Sequence, residues 1–228
     1  MEEERKDLSR QERFIGKTPE EIFNLVYDTR DWGSEESISG FGSTMEHTKS
    51  TRMRLPVILE KYKIKRILDI ACGDFNWIKQ VATKTEYYRG TDIVKRLVDS
   101  NNKKYGIPGK IEFEYGNAIE GINNDGQFDA VIAKDVLVHF PEKDVLKVID
   151  NLKKIGIKYI FTSHFPSINK NQNLVVHGQW RPINFTKAPY NFGPPLEIIW
   201  EKSETYSWPD ENNQRIERAD KTLSLWKI

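Results

Sequence analysis

From Lys65 onward the chain alternates between two hydrophobic periods, and few architectures tolerate that alternation. Short runs rich in apolar, β-branched and aromatic residues, RILDIA, YYRGTDI, KIEFEYG, FDAVIAKD and KYIFTSH, are interspersed with the helix-like stretches FNWIKQVA, VKRLVDSNNKKYG and EKDVLKVIDNLKKIG. Strands alternating with helix-length segments predict parallel pairing through right-handed crossovers, with helices on both faces of the sheet. FDAVIA and KYIFTS are almost continuously apolar, as expected of strands covered on both sides. LEIIWEKSE and KTLSLWKI then read as a closing antiparallel pair. The expected fold is therefore α/β, a doubly wound sheet ending in an antiparallel hairpin.

Two regions fall outside the alternation. Residues 1–63 form an expected N-terminal helical cap with a Gly/Ser-rich loop. Thr18 is a good N-cap for PEEIFNLVYDT, with Pro19 at the first helical position and acids in the first turn. WGSEESISGFGSTMEHT follows, and Trp32, Ile38 and Phe41 among its glycines mark an ordered loop of the kind that covers a site. A second helical segment runs toward Lys63, with an expected kink near Pro56. Residues 64–228 form the core, interrupted at 164–195 by an insertion too rich in Pro, Gly and Asn for a long helix.

With 228 residues, 38% of them hydrophobic, cap and core can share one compact unit. The formal charge is +1, from 35 basic and 34 acidic residues, so no global field recruits nucleic acid or anionic lipid. Cys72 is the only cysteine, which excludes an intrachain disulfide and any zinc site built on several cysteines. The four histidines lack metal-ligand spacing, so no obligatory metal is expected. The opening MEEERKDLSRQERF is charged where a secretory signal needs an apolar core, and no later stretch could span a bilayer. A cytoplasmic protein without membrane insertion is the expectation.

RILDIACGDFNWI reads as strand, turn and helix start, where an open α/β sheet forms its ligand crevice. Gly73 lets ligand atoms approach the backbone, and the amides after it can hold a carboxylate at the helix N-terminus. Asp69 either accepts hydrogen bonds from a ligand amino group or orients the turn. Asp92 ends the second strand, 19 residues after Gly73, where an acid can take both hydroxyls of a ribose. The turn lacks the second and third glycines of a dinucleotide fingerprint. Asp74 would repel a pyrophosphate but can pair with an ammonium or sulfonium, or serve only as a solvated helix-start acid.

ILDIACGDFNWI, YYRGTDI and FDAVIAKDVLVHF resemble, in order, the first, second and fourth motifs of class I S-adenosylmethionine-dependent methyltransferases. W-G-x-x-x-S-x-S-G-x-G-S from Trp32 to Ser43, C-G-D-F-N-W at the turn and G-x-W-R-P-x-N from Gly178 to Asn184 are similar to a largely uncharacterised bacterial subgroup. The resemblance implies a Rossmann-like, seven-stranded, mostly parallel sheet with an antiparallel C-terminal strand. It implies an S-adenosylmethionine site in which Asp69, Ala71, Gly73 and Asp74 surround methionine and sugar, Asp92 holds the ribose and Ile93 packs on adenine. Where many members carry an acid after strand three, this chain has Asn117 and Ala118. Asn117 can still hydrogen-bond the adenine edge. Trp32 and Ser43 complete the expected cofactor side.

Candidates for chemistry lie on the acceptor side. Asp135 and His139, at i, i+4, would share one face of a helical turn, the carboxylate holding the histidine as general base; the alternative is a packing histidine. His164 ends the fifth strand and competes for that role. Arg181 either clamps an anionic acceptor or holds the insertion to the fold. Trp180, Arg181, Asn184 and Tyr190 form the candidate acceptor wall. The balanced charge favours a small-molecule or saccharide acceptor over nucleic acid, and FDAVIAKDVLVHF lacks the Asn-Pro-Pro-aromatic tetrapeptide of amide- and amino-directed nucleic-acid methyltransferases. O-methylation is the expected reaction. An NAD-dependent oxidoreductase and a non-catalytic cofactor-binding module are the alternatives.

Overall fold

A computed structural model describes residues 9–122, 128–209 and 212–228, so the first eight residues of the charged opening stretch lie outside the described residues. The parallel strands are β1 (Arg66–Ile70), β2 (Tyr87–Asp92), β3 (Ile111–Tyr115), β4 (Ala130–Ala133) and β5 (Tyr159–His164). Beyond them come β6 (Glu197–Trp200), a short pair β7 (Tyr206–Pro209) and β8 (Arg215–Arg218), and β9 (Thr222–Lys227). The main sheet has seven strands in the order β3-β2-β1-β4-β5-β9-β6, with β9 antiparallel to both of its neighbours. The doubly wound, mostly parallel sheet with an antiparallel C-terminal strand is thus as expected.

Burial on both faces explains the apolar strands. Leu68 and Ile70 point into one buried cluster with Val131 and Ile160, while Ile67 points into the other with Ala130, Ile132 and Phe161. The first face is covered by α5 (Glu142–Lys154) through Val145, Val148 and Leu152, and by Ile183 and Phe185 of the insertion. The second is covered by α2 (Lys49–Lys61) through Leu55 and Ile58, and by α4 (Lys95–Tyr105) through Val98. Full burial of such side chains contributes about 1.5–3 kcal/mol each.

α1 (Pro19–Thr29) begins with a capping box: Thr18 Oγ1 accepts from the Glu21 amide at 3.2 Å, and the Thr18 amide donates to Glu21 Oε2 at 2.7 Å. α2 runs through Pro56 without interruption. Residues 165–196 contain neither helix nor strand.

Two departures matter. The helix expected from Phe75 is only α3 (Lys79–Ala82), because Ala71, Gly73 and Phe75 all have positive φ and the chain coils before it can become helical. A four-residue helix this far from Gly73 offers no N-terminal carboxylate site there. The β7–β8 pair was also not anticipated. Its strands carry Tyr206, Trp208 and Ile216 at alternate positions, but Pro209 reads as a strand breaker.

Candidate active site at the switch in strand order

The strand order reverses between β1 and β4, so the crossovers on either side diverge and leave a crevice beyond the carboxyl ends of β1, β2 and β4. A cavity of about 660 Å³ occupies it, within the range of ligand sites. Asp69, Ala71, Gly73, Asp92 and Ile93 line one end, with Asn117 and Ala118 beside them. Trp32 and Ser43 reach it from the N-terminal loop, and Asp135, His139 and Trp180 also line it. Among the described residues no group of three or more His, Cys, Asp or Glu could hold a metal, and no helix is long and apolar enough to cross a membrane.

Asp92 is buried, and each carboxylate oxygen accepts one amide: Gly73 at 3.1 Å and Val94 at 3.0 Å. Burial raises its pKa, which these amides oppose. The Ile93 amide lies against the same carboxylate, and with about four acceptor sites in all it keeps capacity for a ligand hydroxyl. Asp69 is also buried, and accepts from Tyr88 Oη at 2.7 Å. Burial pushes its pKa up to about 7, with the nearby Asp92 adding to the shift and the Tyr88 hydroxyl opposing it. Asn117 Oδ1 accepts from the Ile119 amide at 3.0 Å, which fixes the orientation of its side-chain amide.

Asp74 lies outside the cavity wall. Its carboxylate accepts from Ser37 Oγ at 2.9 Å, the Ile38 amide at 3.0 Å and Ser39 Oγ at 3.3 Å, while its own amide donates to Ser39 Oγ at 3.1 Å. It therefore fastens the N-terminal loop over the turn instead of facing a ligand cation. Gly73 serves the same contact: a Cβ there would meet Ser39 Oγ at 2.2 Å.

The Asp135–His139 pair does not form. Asp135 has φ +57°, so no helical turn joins the two residues. Its Oδ2 accepts from Lys134 Nζ and Lys221 Nζ, both at 2.6 Å, and its Oδ1 from Ser163 Oγ at 2.7 Å. Burial opposes its charge, but Lys134 and Lys221 outweigh burial and hold the carboxyl well below the ordinary range. It cannot act as a base near neutral pH. Lys134 Nζ also donates to the Gly42 carbonyl at 2.8 Å and lies 3.4 Å from Glu201 Oε2. His139 instead directs Nδ1 to the Gln179 carbonyl at 2.8 Å and stacks on Trp32, ring centroids 4.3 Å apart.

Four other candidates turn away from the cavity. His164 is buried against Trp226 and accepts from the Phe185 amide at 3.3 Å. Arg181, fully buried, donates to the Phe140 carbonyl at 2.7 Å and to Tyr190 Oη at 3.1 Å, which engages both residues inside the protein. Asn184 Nδ2 donates to the carbonyls of Pro166 and Ile168. Of the expected acceptor wall only Trp180 lines the cavity, beside Phe165 and Tyr206, which sequence reading missed. Lys134 and Lys221 were missed too, although the Lys-Asp pair ending FDAVIAKD was a visible signal.

Residues 67–155 match the family described as a methyltransferase domain. The matched segment spans β1 through α5, and so contains the glycine turn, both buried acids and His139. No curated protein matches the chain. Among solved structures, the methyltransferase domain of the bacterial CtHen1-CN is 11% identical with a TM-score of 0.56, covering 80% of this chain and 100% of that one. Magnesium protoporphyrin IX methyltransferase from Synechocystis PCC 6803, solved with bound S-adenosylmethionine, is 12% identical with a TM-score of 0.54, covering 92% and 98%. Phosphoethanolamine N-methyltransferase 1 from Haemonchus contortus is 16% identical with a TM-score of 0.51, covering 69% and 35%. These similarities concern the fold.

Proposed function

We propose that the chain is an S-adenosylmethionine-dependent methyltransferase acting on an oxygen of a small-molecule or saccharide acceptor. The observation that carries this reading is the convergence of two buried acids, Asp69 and Asp92, on one cavity at the switch in strand order, with the Gly73 turn between them. The donor set fits a nucleoside bearing an amino acid. Asp92 has acceptor capacity left for ribose hydroxyl donors, Asn117 can meet a base edge, and Asp69 offers a carboxylate to an ammonium. When bound, the cofactor supplies a methyl group made electrophilic by an adjacent sulfonium.

The chain's own residues orient the reactants and exclude water. The loop over residues 32–43 is tied to the core at Asp74 and at Lys134, and it contributes Trp32, Ile38 and Ser43 to the cavity wall. Phe165, Trp180 and Tyr206 give the acceptor end flat apolar surfaces, suited to a ring. Holding acceptor and methyl group in line supplies much of the rate enhancement available to such a site.

Calorimetric titration with S-adenosylmethionine, S-adenosylhomocysteine and NAD tests the reading. The first two are expected to bind saturably and NAD not at all. Asp92→Ala is expected to weaken binding by at least about tenfold, since hydrogen bonds to a charged group contribute about 1.5–3 kcal/mol each. Folded protein that binds neither of the first two ligands would sink the proposal.

A further inference from the structure

The GQWR segment, Gly178 to Arg181, wraps the short turn that carries His139. The Gly178 amide donates to the His139 carbonyl at 3.0 Å, and the Arg181 amide to the Val138 carbonyl at 3.1 Å. The Arg181 guanidinium adds bonds to the carbonyls of Phe140 at 2.7 Å and Val138 at 3.4 Å. Three consecutive carbonyls centred on His139 are thereby held by one four-residue segment. Arg181 is fully buried, and its hydrogen bonds go to carbonyls and a phenol rather than to a carboxylate. Burying a guanidinium without an ion pair is expensive, and here that cost goes into fixing one turn.

The same segment sets the ring itself. A carbonyl oxygen only accepts, so His139 Nδ1 must carry the proton it donates to Gln179, and Nε2 bears the lone pair. The Gln179 peptide is fixed in turn, because its side-chain Oε1 accepts from the amides of Val175 and Val176, both at 3.1 Å. Trp32 covers one face of the ring, and His139 lines the cavity. Of the other two bases the sequence offered, Asp135 is locked between two lysines and His164 lies outside the cavity wall.

We infer that Gln179 and Arg181 are positioning residues that hold His139 as the proton acceptor of the site, with Nδ1 protonated and Nε2 presented to the acceptor hydroxyl. This rests on the methyltransferase reading. As the acceptor oxygen forms its bond to the methyl carbon, the electron pair of the broken carbon–sulfur bond stays on sulfur. The hydroxyl proton passes to Nε2 and on to solvent. Burial lowers the pKa of His139 to about 4, opposed by the Gln179 carbonyl and by Asp135 and assisted by Arg10 and Arg181. A neutral ring at pH 7 suits this task, because an oxygen that has just gained a methyl group sheds its proton far more readily than an imidazolium does.

The chain has four histidines, so nitrogen-15 imidazole spectra of histidine-labelled protein are resolvable, with His139→Gln supplying the assignment. Cofactor-free wild type is expected to show His139 with Nδ1 protonated and Nε2 bare, remaining neutral to below pH 5. Arg181→Lys and Gln179→Ala are each expected to give a mixture of tautomers, because both loosen the peptide whose carbonyl holds Nδ1. S-adenosylhomocysteine affinity should stay within about twofold. Should Arg181→Lys fail to fold, Gln179→Ala, which keeps the guanidinium, decides. An Nε2-protonated ring in wild type, or an Nδ1-protonated ring unchanged in the folded variants, overturns the inference. Failure of wild type to bind S-adenosylhomocysteine would instead count against the cofactor reading, leaving the spectra to be judged on their own.

Discussion

Asp69 is the residue where burial and binding pull in opposite directions. Burial raises its pKa to about 7, so without a ligand beside it the carboxyl is partly protonated at neutral pH. A folded-state pKa above the unfolded value of about 3.9 gives stability that is fully present below pH 4 and lost as pH rises through 7. A ligand ammonium beside Asp69 would favour the carboxylate and expel that proton. Titrating S-adenosylhomocysteine near pH 7 in two buffers of different ionisation enthalpy is therefore expected to reveal release of up to about half a proton, abolished in Asp69→Asn. Single residues were legible where a motif gave them a position along a strand: Asp69, Gly73 and Asp92 all reach the cavity. Arg181 and Asn184 were legible as a motif but not as to role, because whether an Arg faces a ligand or a carbonyl depends on neighbours more than ten residues away.

At the scale of elements, the strands were readable because each is apolar on both faces, and the cap helix because Thr18, Pro19 and Glu21 announce its start. The segment after β1 was misread as a helix. Its true form depends on the loop laid across it, since Asp74 and Ser39 bond reciprocally and Gly73 leaves the space for Ser39 Oγ. Gly73→Ala is expected to displace this loop, costing about 1–3 kcal/mol in denaturant unfolding and raising hydrogen exchange at Ile38. Pairing it with Ser39→Gly removes the clashing hydroxymethyl group and should recover part of the loss, the remainder reflecting the positive φ at position 73. Equal losses in the single and double variants would show that the close contact is not what the glycine serves.

Across the whole molecule, one charge network joins segments far apart in sequence. Asp135 follows β4, Lys221 precedes β9, Glu201 follows β6 and accepts from Thr51 of α2, and Lys134 holds the Gly42 carbonyl. Nothing in the sequence marks these residues as partners, since the topology alone brings them together. Asp135→Asn would leave two buried ammoniums sharing one carboxylate, and is expected to destabilise by about 3–5 kcal/mol at pH 7 in urea titrations. Because the lysines depress the Asp135 pKa, its contribution is present above the unfolded value and fades as pH falls below it, so the two curves should converge in strong acid. The strand order has one more consequence. β9 lies between β5 and β6 although β6 precedes it in the chain, so β6 joins the main sheet only through β9. The segment that completes the sheet also carries Lys221, so seating that one strand closes the hydrogen-bond ladder and supplies Asp135 with its second ammonium together.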